Sequence, residues 1–92
     1  MLGEFAMSCI KKIIENESVE DALLYLSLKK SYQTIDLLYV QYRFEIIAEG
    51  ILLSTYMKLL QDGKLVQNEK GKTIKGPNWR EPDFIKNKKY GI

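Results

Sequence analysis

Glu45 and Glu49 stand one helical turn apart, the spacing at which two carboxylates share a helix face and work as an acid–base or metal-ligating pair. That chemistry needs partners the chain does not supply. It has no histidine, so the commonest general base and the commonest metal ligand are both missing. A second acidic pair on the same helix is missing too, and a solvated helix face is the better account of the two glutamates. The single cysteine, Cys9, falls on an apolar stripe with nothing to activate it and reads as a buried structural thiol. One cysteine makes neither an internal disulfide nor a cysteine-rich zinc site. Gly71-Lys72-Thr73 and Gly76 make no phosphate loop, because Val66 stands where the full Gly-x-x-x-x-Gly-Lys-Ser/Thr pattern needs its first glycine and no helix follows, and the serines lack a base. These residues predict a protein that is not an enzyme and carries no metal or cofactor.

Charge and aromatic content point toward binding. Residues 1–57 hold 5 basic and 8 acidic side chains, whereas residues 58–92 hold 9 basic and 4 acidic ones, within an overall net charge of +2. The basic part includes Lys64, Lys70, Lys72 and Lys75 on two short alternating runs. Such lysines suit phosphate contact, as in the wing of a winged-helix protein, or the protection of an edge hairpin from aggregation. With only two arginines in the chain, base readout is poorly served, and nucleic acid is the less favoured partner. Tyr25, Tyr32, Tyr39, Tyr42 and Tyr56 are many tyrosines for 92 residues; tyrosine is enriched at protein–protein interfaces. Taken singly, each also suits a helix core with its hydroxyl at the rim.

The elements that must position these groups follow from periodicity. The length and a 46% hydrophobic, 28% charged composition suit one globular domain spanning residues 1–92. Leu2, Phe5, Ala6, Cys9, Ile10, Ile13 and Ile14 recur at helical steps and predict a helix near 2–15. Ser18 is a candidate N-cap with Glu20 and Asp21 in the first turn, opening a second helix near 18–30. A third is predicted near 34–61, with Ile35, Leu38, Tyr39, Tyr42, Ile46, Leu53, Tyr56, Met57 and Leu60 as its inward stripe. Apolar residues also fall on its other faces, so it is either the central helix or partly covered by another chain. Gly50 marks either a break in it or a close helix crossing. Residues 37–44 (LLYVQYRF) also have strand-like composition, but the helical period decides for helix.

Asp62-Gly63 stops the helix, and the runs on either side of Asn68-Glu-Lys-Gly71 predict a β-hairpin near 64–75. The two-proline tail reads as extended, anchored by Trp79 and Phe84, with residues 85–92 frayed. The predicted fold class is therefore mainly α: three helices, a C-terminal β-hairpin and an extended tail. No segment reads as a secretory signal or a membrane span, and the lone cysteine suits a reducing compartment, so cytoplasmic localisation is expected.

Residues 56–84, YMKLLQDGKLVQNEKGKTIKGPNWREPDF, resemble the small immunity proteins of bacterial polymorphic-toxin systems, of the contact-dependent inhibition or Maf type. The likeness covers about a third of the chain: a helix, an Asp-Gly stop, a lysine-bearing hairpin and a Gly-Pro…Trp…Pro…Phe end. It implies a cytoplasmic protein that binds a cognate toxin domain and blocks or displaces its active site. Residues 56–75 also resemble the recognition helix and wing of winged-helix DNA-binding regulators. Lys58 is the one basic residue in that helix, beside Ile51, Leu52, Tyr56, Leu59 and Leu60, which makes a poor major-groove surface. A helical adaptor that homodimerises through 34–61 is a third possibility. The predicted partner-binding surface is the exposed side of the 34–61 helix together with the hairpin, with Tyr39, Tyr42, Arg43, Lys70 and Lys72 as its candidate residues.

Overall fold

Side-chain hydroxyls open two of the helices, as local chemistry requires of helix ends with orphan N–H groups. In the computed structural model, which describes the backbone of residues 2–92 and the side chains of residues 9–92, Ser18 Oγ accepts from Asp21 N at 3.1 Å and starts α2 (Val19–Leu26). Ser31 Oγ accepts from Thr34 N at 3.2 Å and starts α3 (Tyr32–Tyr42) two residues before the predicted boundary. Ahead of them lies α1 (Leu2–Asn16); the inward positions predicted at Leu2, Phe5 and Ala6 lie outside the described side chains.

The predicted 34–61 helix is three helices. Arg43, with φ −149° and ψ 67°, interrupts it after α3, and α4 (Phe44–Ala48) follows at once. Gly50, at φ +70°, then turns the chain into α5 (Ile51–Gln61). A left-handed residue is cheap only as glycine, and this one divides the helix. The break resets the helical phase. Beyond it the buried residues are Leu52, Tyr56 and Leu59, while Leu53 and Met57, predicted inward, are exposed.

Gly63, at φ +74°, ends α5, and the hairpin forms as β1 (Leu65–Gln67) and β2 (Thr73–Lys75), antiparallel with Val66 opposite Ile74. Asn68 Oδ1 shapes the turn by accepting from Lys70 N and Lys72 N at 2.9 and 3.0 Å. Leu65 and Thr73 face the helices, leaving Val66 and Ile74 on the open side. The hairpin base is so close that a Cβ on Gly76 would stand 2.1 Å from Gly63 O, so glycine is required there by contact.

The tail departs from expectation at its end. Pro82 and Phe84 are buried, and α6 (Asp83–Lys86) adds a helical turn. Within the segment predicted to fray, Lys89 and Tyr90 return to the end of α1: Lys89 Nζ bonds Oε2 of Glu17, just after the helix, at 2.8 Å, and Tyr90 Oη donates to the same oxygen. The core joins Ile13 and Ile14 of α1, Leu23, Leu24 and Leu26 of α2, Ile35 and Tyr39 of α3, Leu52 and Leu59 of α5, and Leu65 of β1. The protein is mainly helical with a small two-stranded hairpin. No helix among the described residues is long and apolar enough to cross a membrane.

Candidate functional site

Two open grooves share a wall and form one continuous surface. The first, of about 550 Å³, lies between the turn after α2, the start of α3, the outer side of α5 and the hairpin. Tyr56, Met57 and Leu60 contribute its floor, and Lys29, Lys30, Lys70 and Lys72 stand around it. The second, of about 560 Å³, runs between α3 and α5 past Leu37, Ile47 and Leu53. Tyr32, Gln33 and Leu53 belong to both. Leu37, Leu53 and Met57 are 67%, 55% and 57% exposed, so three large apolar side chains stand in water along this path.

The surface owes its shape to hydrogen bonding beneath it. Tyr56 Oη lies 2.7 Å from Thr73 Oγ1, a contact buried between α5 and β2, and Gln67 Nε2 donates to the same phenol at 3.1 Å. These bonds hold the hairpin at a fixed distance from α5, which keeps the first groove open. Tyr32 packs on Tyr56 with ring centroids 4.9 Å apart, tying the start of α3 to the same point. Burial and the nearby Asp36 carboxylate raise the Tyr32 phenol above its ordinary pKa, so it remains a neutral hydrogen-bonding group at physiological pH. Among the residues lining the first groove there are four lysines and no carboxylate; Asp36 borders the second.

The five residues singled out from the sequence separate into three groups. Lys70 and Lys72 are exposed and border the groove. Tyr42 and Arg43 lie at the α3–α4 junction and line neither groove. Tyr42 is half-buried beneath Lys11, whose Nζ is 5.7 Å from the ring centroid. The Arg43 guanidinium donates to Ile14 O at 3.3 Å and to Glu45 at 3.1 Å. Ile14 O belongs to the last turn of α1, where carbonyls lack helical partners and a cation complements the dipole, so Arg43 has a structural task. Tyr39 corrects the prediction outright. It is fully buried in the core, with no hydrogen-bond partner for its hydroxyl among the described residues, and its phenol is pushed up to about 12 by desolvation. It cannot reach a partner on an exposed surface. Leu37, Leu53 and Met57 were missed as surface residues; the signal available was the excess of apolar faces in residues 34–61.

Glu45 is exposed and held below its ordinary pKa by the Arg43 hydrogen bond first. No group of three or more metal-ligating side chains converges among the described residues. Cys9 is buried beside a smaller cavity of about 230 Å³, its Sγ 3.5 Å from Tyr90 O. Comparison with family models, with curated proteins and with solved structures finds no match for the chain.

Proposed function

We propose that this protein is a non-catalytic binding protein and, following the resemblance of residues 56–84, an immunity protein that neutralises a cognate toxin domain by contact. The observation that carries the binding role is the exposed apolar path Leu37–Leu53–Met57 beside a groove bordered by four lysines. Large apolar side chains grouped on a surface and rimmed by charge are the anatomy of a specific protein interface. The test is co-expression with a toxin domain encoded beside the gene. Protection of the cell and co-elution of the pair at nanomolar concentration, about −12 kcal/mol, are expected. Neither result, together with salt-sensitive binding to duplex DNA, would replace the proposal with a winged-helix regulator. The outward face of α5 argues against that alternative, since it offers Leu53 and Met57 where a recognition helix needs polar and basic groups.

A further inference from the structure

We infer that the groove between α5 and the hairpin is the docking site for an acidic amphipathic segment of the partner, which places its apolar side chains on Leu53, Met57 and Leu60 and its carboxylates against Lys30, Lys70 and Lys72. The inference rests on the binding role proposed above and gives the partner's contacting surface a chemistry. Its basis is complementarity of two kinds in one place. Leu53 and Met57 stand in water beside the half-buried Leu60, and these aliphatic side chains are covered only by a ligand with apolar groups of its own. The border is cationic without a compensating carboxylate in the first groove, and none of its four lysines makes a salt bridge among the described residues. An amphipathic segment satisfies both demands at once, seating i, i+3 and i+4 side chains in the groove as helix-in-groove ligands do.

Nucleic acid meets only the second demand, because a phosphate backbone leaves Leu53 and Met57 wet. Both arginines of the chain are already engaged within the molecule, Arg43 with Glu45 and Ile14 O, and Arg80 with Glu20 and Asp21. The groups best suited to bidentate phosphate or base recognition are therefore committed elsewhere. The charge also locates the contact on the partner. An active site that grips a polyanion is itself basic and is repelled by this groove, so the docking segment lies outside any such site.

The experiment is selection of a random peptide library, displayed on phage, against the folded full chain. The enriched peptides should carry Asp and Glu interleaved with Leu, Ile or Phe at helical spacing. Their affinity should fall at least tenfold for Met57→Glu, and by a similar factor for the double variant Lys70→Glu, Lys72→Glu. These positions are exposed, and circular dichroism checks that each variant keeps its fold. Failure to enrich any peptide, enrichment of neutral or basic peptides, or binding indifferent to the groove variants would overturn the inference. Displacement of the peptides by random duplex DNA, or a homodimer lost on Met57→Glu in sedimentation, would overturn it too by giving the groove another occupant. The outcomes also separate the two proposals. A toxin neutralised equally well by the groove variants defeats this inference alone, whereas acidic peptides bound in the groove with no toxin neutralised defeat the immunity reading alone.

Discussion

A buried tyrosine hydroxyl with no partner works against the fold it occupies. Tyr39 contributes a large apolar ring to the core, but its Oη loses water and meets no hydrogen-bond partner among the described residues. Tyr39→Phe should therefore raise the unfolding free energy by about 1 kcal/mol at neutral pH. The same residue predicts an alkaline limit. Its phenol ionises near 10 when unfolded and at about 12 in the folded protein. The folded state binds this proton more tightly, so the contribution is fully present below pH 10 and is lost as pH rises through 12. The loss is about 1.4 kcal/mol for each unit of that window. Urea midpoints at pH 7 and pH 11 check both parts: the phenylalanine variant should be the more stable at pH 7, and its advantage should widen at pH 11. A variant less stable than the parent at pH 7 would mean that the hydroxyl is hydrogen-bonded after all. The sequence could place Tyr39 on a helix. It could not decide between core and interface, because tyrosine serves in both and only the neighbouring elements make the choice.

At the scale of elements, what joins the helices is a set of donors that reach the carbonyls at their ends. Arg43 serves Ile14 O at the end of α1, Asn78 Nδ2 serves Asp62 O after α5 at 2.9 Å, and Trp79 Nε1 serves Leu24 O in the last turn of α2, also at 2.9 Å. Trp79 is half-buried, with Lys75 Nζ 4.2 Å from its ring centroid. It thus fixes both the tail and α2. Two substitutions separate the contributions: Trp79→Phe keeps most of the packing and loses the N–H bond, at about 1 kcal/mol, while Trp79→Ala loses both, at about 3 kcal/mol or more. A Trp79→Phe variant as stable as the parent in denaturant unfolding would show that the indole N–H contributes nothing, and equal losses for the two variants would show the same of the packing. The Ser18 cap and the hairpin were legible because each depends on residues adjacent in sequence, and the anchoring by Trp79 and Phe84 because large aromatics bury the most area in a short tail. The phase of α5 was not. Leu52 and Leu59 bury while Leu53, one position on, stands in water; either phase offers enough apolar residues for a core. The left-handed turn at Gly50 decides between them. The groove became visible only with that turn, although Lys70 and Lys72 could be read from the alternation of the hairpin.

For the molecule as a whole, the last residues of the sequence close over its first described turns. Glu17 receives Lys89 and Tyr90 across 72 and 73 positions, Cys9 meets Tyr90 O across 81, and the Phe84 ring packs edge-on between Tyr25 and Tyr90. Contacts this distant in sequence carry the entropy of ordering nearly the whole chain and form with the body rather than before it. The closure also depends on charge. Burial alone would raise the Glu17 carboxyl, but the hydrogen bonds from Lys89 and Tyr90, with the Lys89 charge, hold it below its ordinary value. On the opposite side Glu20 is held low by the Arg80 hydrogen bond in the first place, and Lys64 assists. A carboxyl with a depressed folded pKa stabilises above its unfolded value and loses that contribution as pH falls through the folded one. Acidification from pH 6 to pH 3 should therefore lower the thermal midpoint. Glu17→Gln, which keeps an acceptor for Tyr90 but removes the charge facing Lys89, should flatten part of that slope. Calorimetric scans of both proteins at intervals of half a pH unit make the comparison. Parallel curves would show that Glu17 does not titrate with folding, and that the closure over α1 holds through packing on Phe84 and Tyr90 alone.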